Sequence, residues 1–434
     1  MAWEGYFTYA GQEFINAQRT EAYAEQAGAG WLKGCFSTTD LGTMLGEHYR
    51  SPLLDPAPWT DPDAPESYDF FGVYPLGVTG LEDSTRQGAV IESTSDGGTV
   101  GRVRHGTRAV VFNVALVGGS DCAVDYGARW LRRLLLGAAC GTQASESCSG
   151  DDLCYLSCEP VLDWEGGGQF DWVGCLDPYE RSLRRVVFNA GPTINGKQYP
   201  ADGGAVWLAS ITAVAGNPWE FGSEVPIVEQ FGVVTDPYMC EPAGLVNMNG
   251  PVVDDSACKP ASYFPVFDPL CPAFIEPPAY PSVALGCFTP PANWKRRQFT
   301  IPEEFIPLWG EVVPKIEVHA TATTSVRNLR LRFYADVDGD GDISDDSCAY
   351  CGDILISYVP AGETLVLDGS DQLVYVVAAG GVGQRRADSL VFATDGTPFE
   401  WPVLSCGFGY IVTVDTAQTT DLPSIDLSLY SRAA

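Results

Sequence analysis

Hydrophobic positions along the chain follow two periods. From Arg108 to Val117, the residues Val110, Phe112, Val114 and Leu116 share one face of an extended chain, and Val111, Ala115 and Val117 share the other. Apolar residues on both faces predict a strand buried on both sides. Gly118-Gly119-Ser120 breaks that run, and the period then becomes helical. From about Cys122 to Cys140, the residues Tyr126, Trp130, Leu131, Leu134, Leu135 and Ala138 fall on one helical stripe. Asp121 and Asp125 near its start and Arg129, Arg132 and Arg133 towards its end suit the helix dipole. A shorter helical stretch is predicted near Glu13–Gln26.

The remaining elements are predicted to be strands. Ala89–Thr94 and Thr99–Arg104 flank Ser95-Asp96-Gly97-Gly98, a hairpin signal because tight turns need positive φ. Arg185–Ala190 and Ala205–Ala215 follow, the second ending at Gly216-Asn217-Pro218-Trp219, where proline stops a ladder. Further on, Leu329, Leu331 and Phe333 alternate with Arg330, Arg332 and Tyr334. Leu365–Leu367 and Gln372–Val377 flank another Asp-Gly turn, Asp368-Gly369, and Ser389–Ala393, Tyr410–Val414 and Ile425–Leu429 complete a strand-rich C-terminal block. His319 alternates with Val318 and Ala320 in a further strand, which makes a surface or packed histidine its default reading.

Texture divides the chain into four parts. Residues 1–66 form a mixed N-terminal extension with a Pro/Asp-rich run from Leu53 to Pro62. Residues 67–230 alternate strands with one long helix, an α+β domain. Residues 231–297 are a Pro/Cys-rich linker arm, extended because proline restricts it. Residues 298–434 read as a β-sandwich. The expected fold class is therefore mainly β.

Composition narrows the function. Lys and Arg total 25 against 56 Asp and Glu, a net charge of −31. Affinity for nucleic acid comes mainly from neutralising phosphates, so no specific nucleic-acid binding is expected. The acidic balance serves solubility, or gives a negative surface that DNA slides past. No run of about 18 apolar residues occurs, so no membrane span is expected. The N-terminus, Met1-Ala2-Trp3-Glu4-Gly5-Tyr6, lacks the basic and apolar regions of a secretory signal. The 14 cysteines would otherwise suggest a disulfide set. A protein that folds in a reducing cytosol and works outside the cell reconciles the two, with some pairs oxidising late.

Six segments stand in order along the chain: EFINAQRTEAYA (Glu13–Ala24), DFFGVYPLGVTGLEDSTR (Asp69–Arg86), RAVVFNVALVGGSDCAVDYGARWLRRLL (Arg108–Leu135), ITAVAGNPWEFG (Ile211–Gly222), DPLCPAFIEPPAYP (Asp268–Pro281) and DGTPFEWPVLSCGFGY (Asp395–Tyr410). These segments resemble minor tail proteins from siphophages of actinobacteria. Their order is similar to that of distal tail proteins. The resemblance implies an N-terminal strand-and-helix domain closing a hexameric ring, followed by a galectin-like β-sandwich. It also implies a structural role in the virion tail tip or baseplate, after assembly in the host cytoplasm. The implied partners are further copies of the chain, the tail tube protein, the tape measure protein and the tail-tip hub, with side fibres or host surface glycan on the sandwich. The extension before Asp69 and the long Cys/Pro-rich arm depart from the family pattern.

The strongest metal candidate is the run Asp336, Asp338, Asp340 and Asp342 with Gly341. Carboxylates at positions one, three and five and glycine at six match the start of a calcium loop. Position twelve is Ser347 rather than glutamate, and the flanks read as strands. A calcium-stabilised loop and an empty acidic hairpin tip both remain open. Cys348-Ala-Tyr-Cys351 is half a zinc motif without a second half, and Cys154-Tyr-Leu-Ser-Cys158 is the other close pair. A local disulfide or free thiols is the expected state of both. Asp163, Glu165 and Asp171 lie among Trp164, Phe170 and Trp172, which would suit a glycosidase. The same run reads equally as a glycine loop with packing aromatics, and no enzyme is expected. Trp401 and Tyr375 could stack on sugars, although core or subunit contacts are their default. The rival to a tail-tip subunit is a secreted calcium-dependent carbohydrate-binding β-sandwich protein using the Asp336–Asp346 loop.

Overall fold

A computed structural model describes the chain apart from residues 1, 31, 33–40, 84, 89, 93–97, 102–103, 138–149, 161–178, 202, 233–294, 309, 338, 340–349, 382, 394–395, 417–422 and 434. The fold is mainly β, and it divides into two compact units, Met1–Ser223 with Ala433–Ala434, and Glu224–Arg432. No helix among the described residues is long and apolar enough to cross a membrane.

The first unit opens with β1 (Trp3–Tyr9), β2 (Gln12–Asn16), α1 (Ala17–Gln26) and α2 (Leu41–Met44). It continues through β3 (Phe70–Thr79), β4 (Arg86–Gln87), β5 (Val90–Glu92), β6 (Gly98–Val100), β7 (Arg104–His105), β8 (Arg108–Gly118) and α3 (Asp121–Leu134). It then runs through β9 (Asp151–Leu156), β10 (Glu180–Gln198), β11 (Ala205–Ala215) and the start of β12 (Glu220–Gly232). The antiparallel strands β10, β11, β8 and β3 lie side by side. β8 and β11 pair without a register break from Gly118↔Ala205 to Arg108↔Ala215.

The predicted two-sided burial of β8 holds in its second half. Val114 to Val117 are all buried, whereas Ala109 and Asn113 are exposed and Val111 is half-buried. Arg108 is buried at the strand's first position. Its guanidinium reaches Glu220 at 2.8 Å, the Pro218 carbonyl at 3.0 Å and the Leu81 carbonyl, tying the starts of β8 and β12 together.

The stretch expected to be helical from Glu13 is a strand up to Asn16. Ala10 and Gly11, both at positive φ, form the two-residue turn that folds β2 back on β1. Phe14 and Ile15 are thereby buried on opposite faces of one strand, which a helix from Glu13 would not do. Asn16 ends the strand and caps α1, its side chain accepting from the Arg19 amide at 2.9 Å. Phe7, Phe14, Phe112 and Tyr155 pack as one aromatic cluster, with Phe7 and Phe112 edge to face at 5.1 Å.

The long helix is shorter than its periodicity suggests. Ser120 caps it, its hydroxyl accepting from the Ala123 amide at 3.2 Å. Gly137, at φ +68°, follows its last turn and donates to the Leu134 carbonyl at 2.9 Å. The buried stripe is Ala123, Val124, Gly127, Ala128 and Leu131, while Tyr126, Trp130 and Leu134 lie half-buried beside it. Small residues face the sheet because the helix sits close to it. A Cβ on Gly127 would stand 2.3 Å from the Phe70 ring. The hairpin expected around Ser95-Gly98 pairs Val90 with Val100 and Glu92 with Gly98, and its turn lies outside the described residues.

The second unit takes the rest of β12 and then β13 (Lys295–Ile301), β14 (Glu311–His319), β15 (Val326–Asp336), β16 (Tyr350–Val359), β17 (Thr364–Asp368) and β18 (Leu373–Val377). β19 (Gln384–Arg386), β20 (Val391–Phe392), β21 (Leu404–Ser405), β22 (Gly409–Thr416) and β23 (Ser424–Ala433) follow. One sheet is ordered β19-β18-β17-β14-β23 and then β12, with β21 beside β14; the other is β13-β22-β15-β16-β20. Ile316, Leu365, Val374 and Leu427 of the first sheet share a core with Leu331, Phe333, Ile354 and Val412 of the second. The two sheets therefore pack face to face as a β-sandwich.

The Asp368-Gly369 turn joins β17 to β18 as predicted. Ser389–Ala393 differs from its expected strand: Asp388–Leu390 is a 3-10 turn, closed by the Leu390 amide on the Ala387 carbonyl at 2.8 Å, and strand remains at Val391–Phe392 alone. Both faces of β15 are buried between Leu329 and Tyr334. Register places Asp353 opposite Arg332 and Asp415 opposite Arg330, and both arginines donate to Asp353, at 3.0 and 3.2 Å. These cross-strand carboxylates compensate the two buried charges.

Candidate functional site

The predicted acidic loop starts where the sandwich ends β15. Asp336 is the last residue of that strand, half-buried, with Gly409 opposite it. Asp338, Asp340 and Asp342 lie outside the described residues, as does Cys348. Cys351, on β16, is an exposed free thiol. Cys154 and Cys158 are also free. Burial, with the charges of Glu180 and Asp152, pushes the Cys154 thiol up to about 11, so it stays protonated at neutral pH and is a poor nucleophile or metal ligand.

The candidate sugar-binding residues divide between core margin and undescribed chain. Trp401 is half-buried, packed edge to face on Phe399 at 4.8 Å and against the sandwich core. Tyr375 is half-buried on β18, opposite Val366 and Arg386. Asp163, Glu165 and Asp171 lie outside the described residues.

Two polar clusters escaped the sequence reading. The first lies where β2 turns into α1. Arg19 is buried and bonds Glu13 at 2.8 Å and Glu47 at 2.7 Å, with its guanidinium 4.5 Å from the Tyr49 ring centre. Burial works against the charge of Arg19, but Glu13 and Glu47 outweigh it and raise its pKa. Asn16 links the cluster to Glu13 at 2.7 Å and to the Tyr49 hydroxyl at 3.0 Å. A shallow groove of about 500 Å³ opens above it, bordered by Gln18, Gly42, Glu47, Tyr49 and Arg50. Each carboxylate named here already holds a cation or hydrogen-bond donor, so the cluster acts as a structural tie between the hairpin and α1.

The second cluster covers the outward face of the sandwich sheet around β14. Val312, Ile316 and Val318 point into the core, so Glu311, Lys315, Glu317 and His319 point away from it. Lys315 bonds Glu224 at 3.0 Å and Glu317 at 3.1 Å. Glu224 also accepts from the Ser428 hydroxyl and from the Tyr430 hydroxyl, the latter at 2.6 Å. Burial raises the Glu224 carboxyl, but the bonds from Ser428, Tyr430 and Lys315 outweigh it and leave it below its ordinary value. Burial likewise lowers Lys315, and its two carboxylates more than reverse that. His319 sits at the end of this row, between Thr364 and Asp426. The strand alternation around His319 and the Ile425–Leu429 strand that carries Asp426 and Ser428 were readable in sequence; their pairing was not, because it joins residues some hundred positions apart.

No family model and no curated protein matches the chain. Among solved structures, it is similar to the Dit protein of phage SPP1, described as a paradigm of the hub adsorption apparatus in phages infecting Gram-positive bacteria. The identity is 8% over 85% of this chain and 96% of that one, with a TM-score of 0.36. It is also similar to the phage p2 baseplate in its activated conformation with strontium, at 10% identity over 83% of this chain and 91% of that one, with a TM-score of 0.36. The same baseplate with calcium gives 10% identity, the same coverage and a TM-score of 0.35.

Proposed function

We propose that this chain is a structural subunit of a bacteriophage tail tip, a distal-tail-type protein that joins the tail tube to the tip. One observation carries the reading. Three of the six segments that resemble such proteins lie side by side in the fold. Arg108–Leu135 supplies β8 and α3, and Ile211–Gly222 supplies the end of β11, which is paired to β8, and the start of β12. Asp69–Arg86 supplies β3, paired to the other edge of β8. A strand-and-helix unit followed along the chain by a two-sheet sandwich is the order that the resemblance implies.

On this reading the strand-and-helix part closes a ring of six copies around the channel, through head-to-tail contacts that close by rotation. The four-part division at residues 66, 230 and 297 belongs to the same proposal. The Pro/Cys-rich arm, 231–297, reaches a neighbour or the sandwich, and the sandwich faces outward towards side fibres or host surface glycan. The tail tube, tape measure and hub proteins are the axial partners. The net charge of −31 gives a negative lumen that DNA passes without adhering.

Electron microscopy and light scattering of the purified full chain test this. The expected particle is a closed ring of one size with an acidic inner surface. A monodisperse monomer that binds glycan only with calcium would replace the reading with the carbohydrate-binding one. A ring with a basic lumen would remove the role assigned to the charge.

A further inference from the structure

On the outward sheet face of the sandwich, Glu317 and His319 stand two residues apart on β14, and Asp426 lies directly opposite Glu317 on β23. Their side chains are each about one-third exposed, at 30%, 31% and 34%. His319 Nε2 is 3.0 Å from Asp426 Oδ2 and 4.0 Å from Glu317 Oε2. One ligand atom from each residue fits within a span of 4.8 Å. A tetrahedral ion with bonds near 2.0–2.2 Å needs donor atoms about 3.4 Å apart. The observed spacings bracket that value, and side chains one-third exposed can close the difference.

The neighbours hold each donor in a ligating pose. His319 Nδ1 lies 3.0 Å from the Thr364 hydroxyl, across the β14–β17 pair. With Nδ1–H donating to that hydroxyl oxygen, Nε2 presents its lone pair to the outward face, the usual support of a metal-bound imidazole. Lys315 takes Glu317 Oε1 at 3.1 Å, which turns the other oxygen, Oε2, towards His319. The set contains two carboxylates and one imidazole, so a dication balances the carboxylates.

We propose that Glu317, His319 and Asp426 form a binding site for one divalent first-row transition-metal ion of the zinc class, bridging β14 and β23. An imidazole among three donors suits this class, whereas calcium takes six to eight oxygens. Three protein ligands leave one position open for water or for a donor from another molecule. The site is separate in sequence from the acidic loop that begins at Asp336, and it does not depend on the tail-tip reading.

Cobalt(II), titrated into the metal-stripped full chain, tests the site without confusion from cysteines, since thiolate ligation adds a near-ultraviolet charge-transfer band. One equivalent is expected to give visible d–d absorption without that band and to survive Cys351→Ser. His319→Gln and Asp426→Asn, each checked for native circular dichroism, are expected to lose that equivalent. Thr364→Val is expected to weaken it about tenfold. No thiolate-free equivalent in the parent chain, or an unchanged one in natively folded His319→Gln or Asp426→Asn, would overturn the proposal and leave an ordinary His–Asp hydrogen bond.

Discussion

At the residue scale, the fold commits Arg19, Arg108, Arg330 and Arg332 to its interior and sets a carboxylate against each. Arg19 and Glu13 illustrate the cost of breaking such a pair. Arg19→Met would keep the side chain's volume but leave the buried Glu13 carboxylate without its cation. The expected loss is about 3–5 kcal/mol, read from urea unfolding of the full chain. Glu224 gives a pH dependence with a definite sign. Its folded pKa is depressed, so its contribution to stability is present above the unfolded carboxylate value of about 4.3 and is lost as pH falls through the folded value. Glu224→Gln should therefore flatten the acid limb of a stability-against-pH curve, whereas an unchanged limb would remove Glu224 from the account. These pairs were not readable in sequence. Glu13 and Arg19 are six residues apart, a spacing that fits neither helix nor strand pairing. They meet because Asn16 turns the strand into the helix between them.

At the element scale, legibility followed the periodicity. β8, β11 and β23 and the β17–β18 hairpin are where alternation and Asp-Gly signals place them, and α3 carries its acidic start and basic end. The errors have local causes. α3 ends at Leu134, six residues before the predicted end at Cys140, and the role of Gly137 as a helix stop could have been read from the glycine itself. The stripe chosen for α3 followed the largest residues, Tyr126 and Trp130. Of that stripe Leu131 is fully buried, but the rest of the face against the sheet is made of smaller residues, Ala123, Val124, Gly127 and Ala128, because Phe70 fills the space above Gly127. Gly127→Ala should force the helix away from that ring and cost about 1–3 kcal/mol, measured by thermal or chemical unfolding. A neutral result would mean that α3 has room that the packing denies.

At the scale of the whole molecule, fold class was legible and partnership less so. Short alternating strands with turn residues between them indicated a β-sandwich, and one is present. The long-range pairings that build the outward face of that sandwich leave no local trace, so the Glu317–His319–Asp426 cluster emerges from structure alone. A surplus of 31 negative charges belongs to the chain as a whole, and its role in the proposed ring is a matter for the assembled particle. The most direct test is to image phage particles carrying a small tag on this chain by cryo-electron microscopy. The account predicts tag density in a symmetric ring at the junction of tail tube and tip. Tag density elsewhere on the particle, or intact particles that lack the chain, would contradict it.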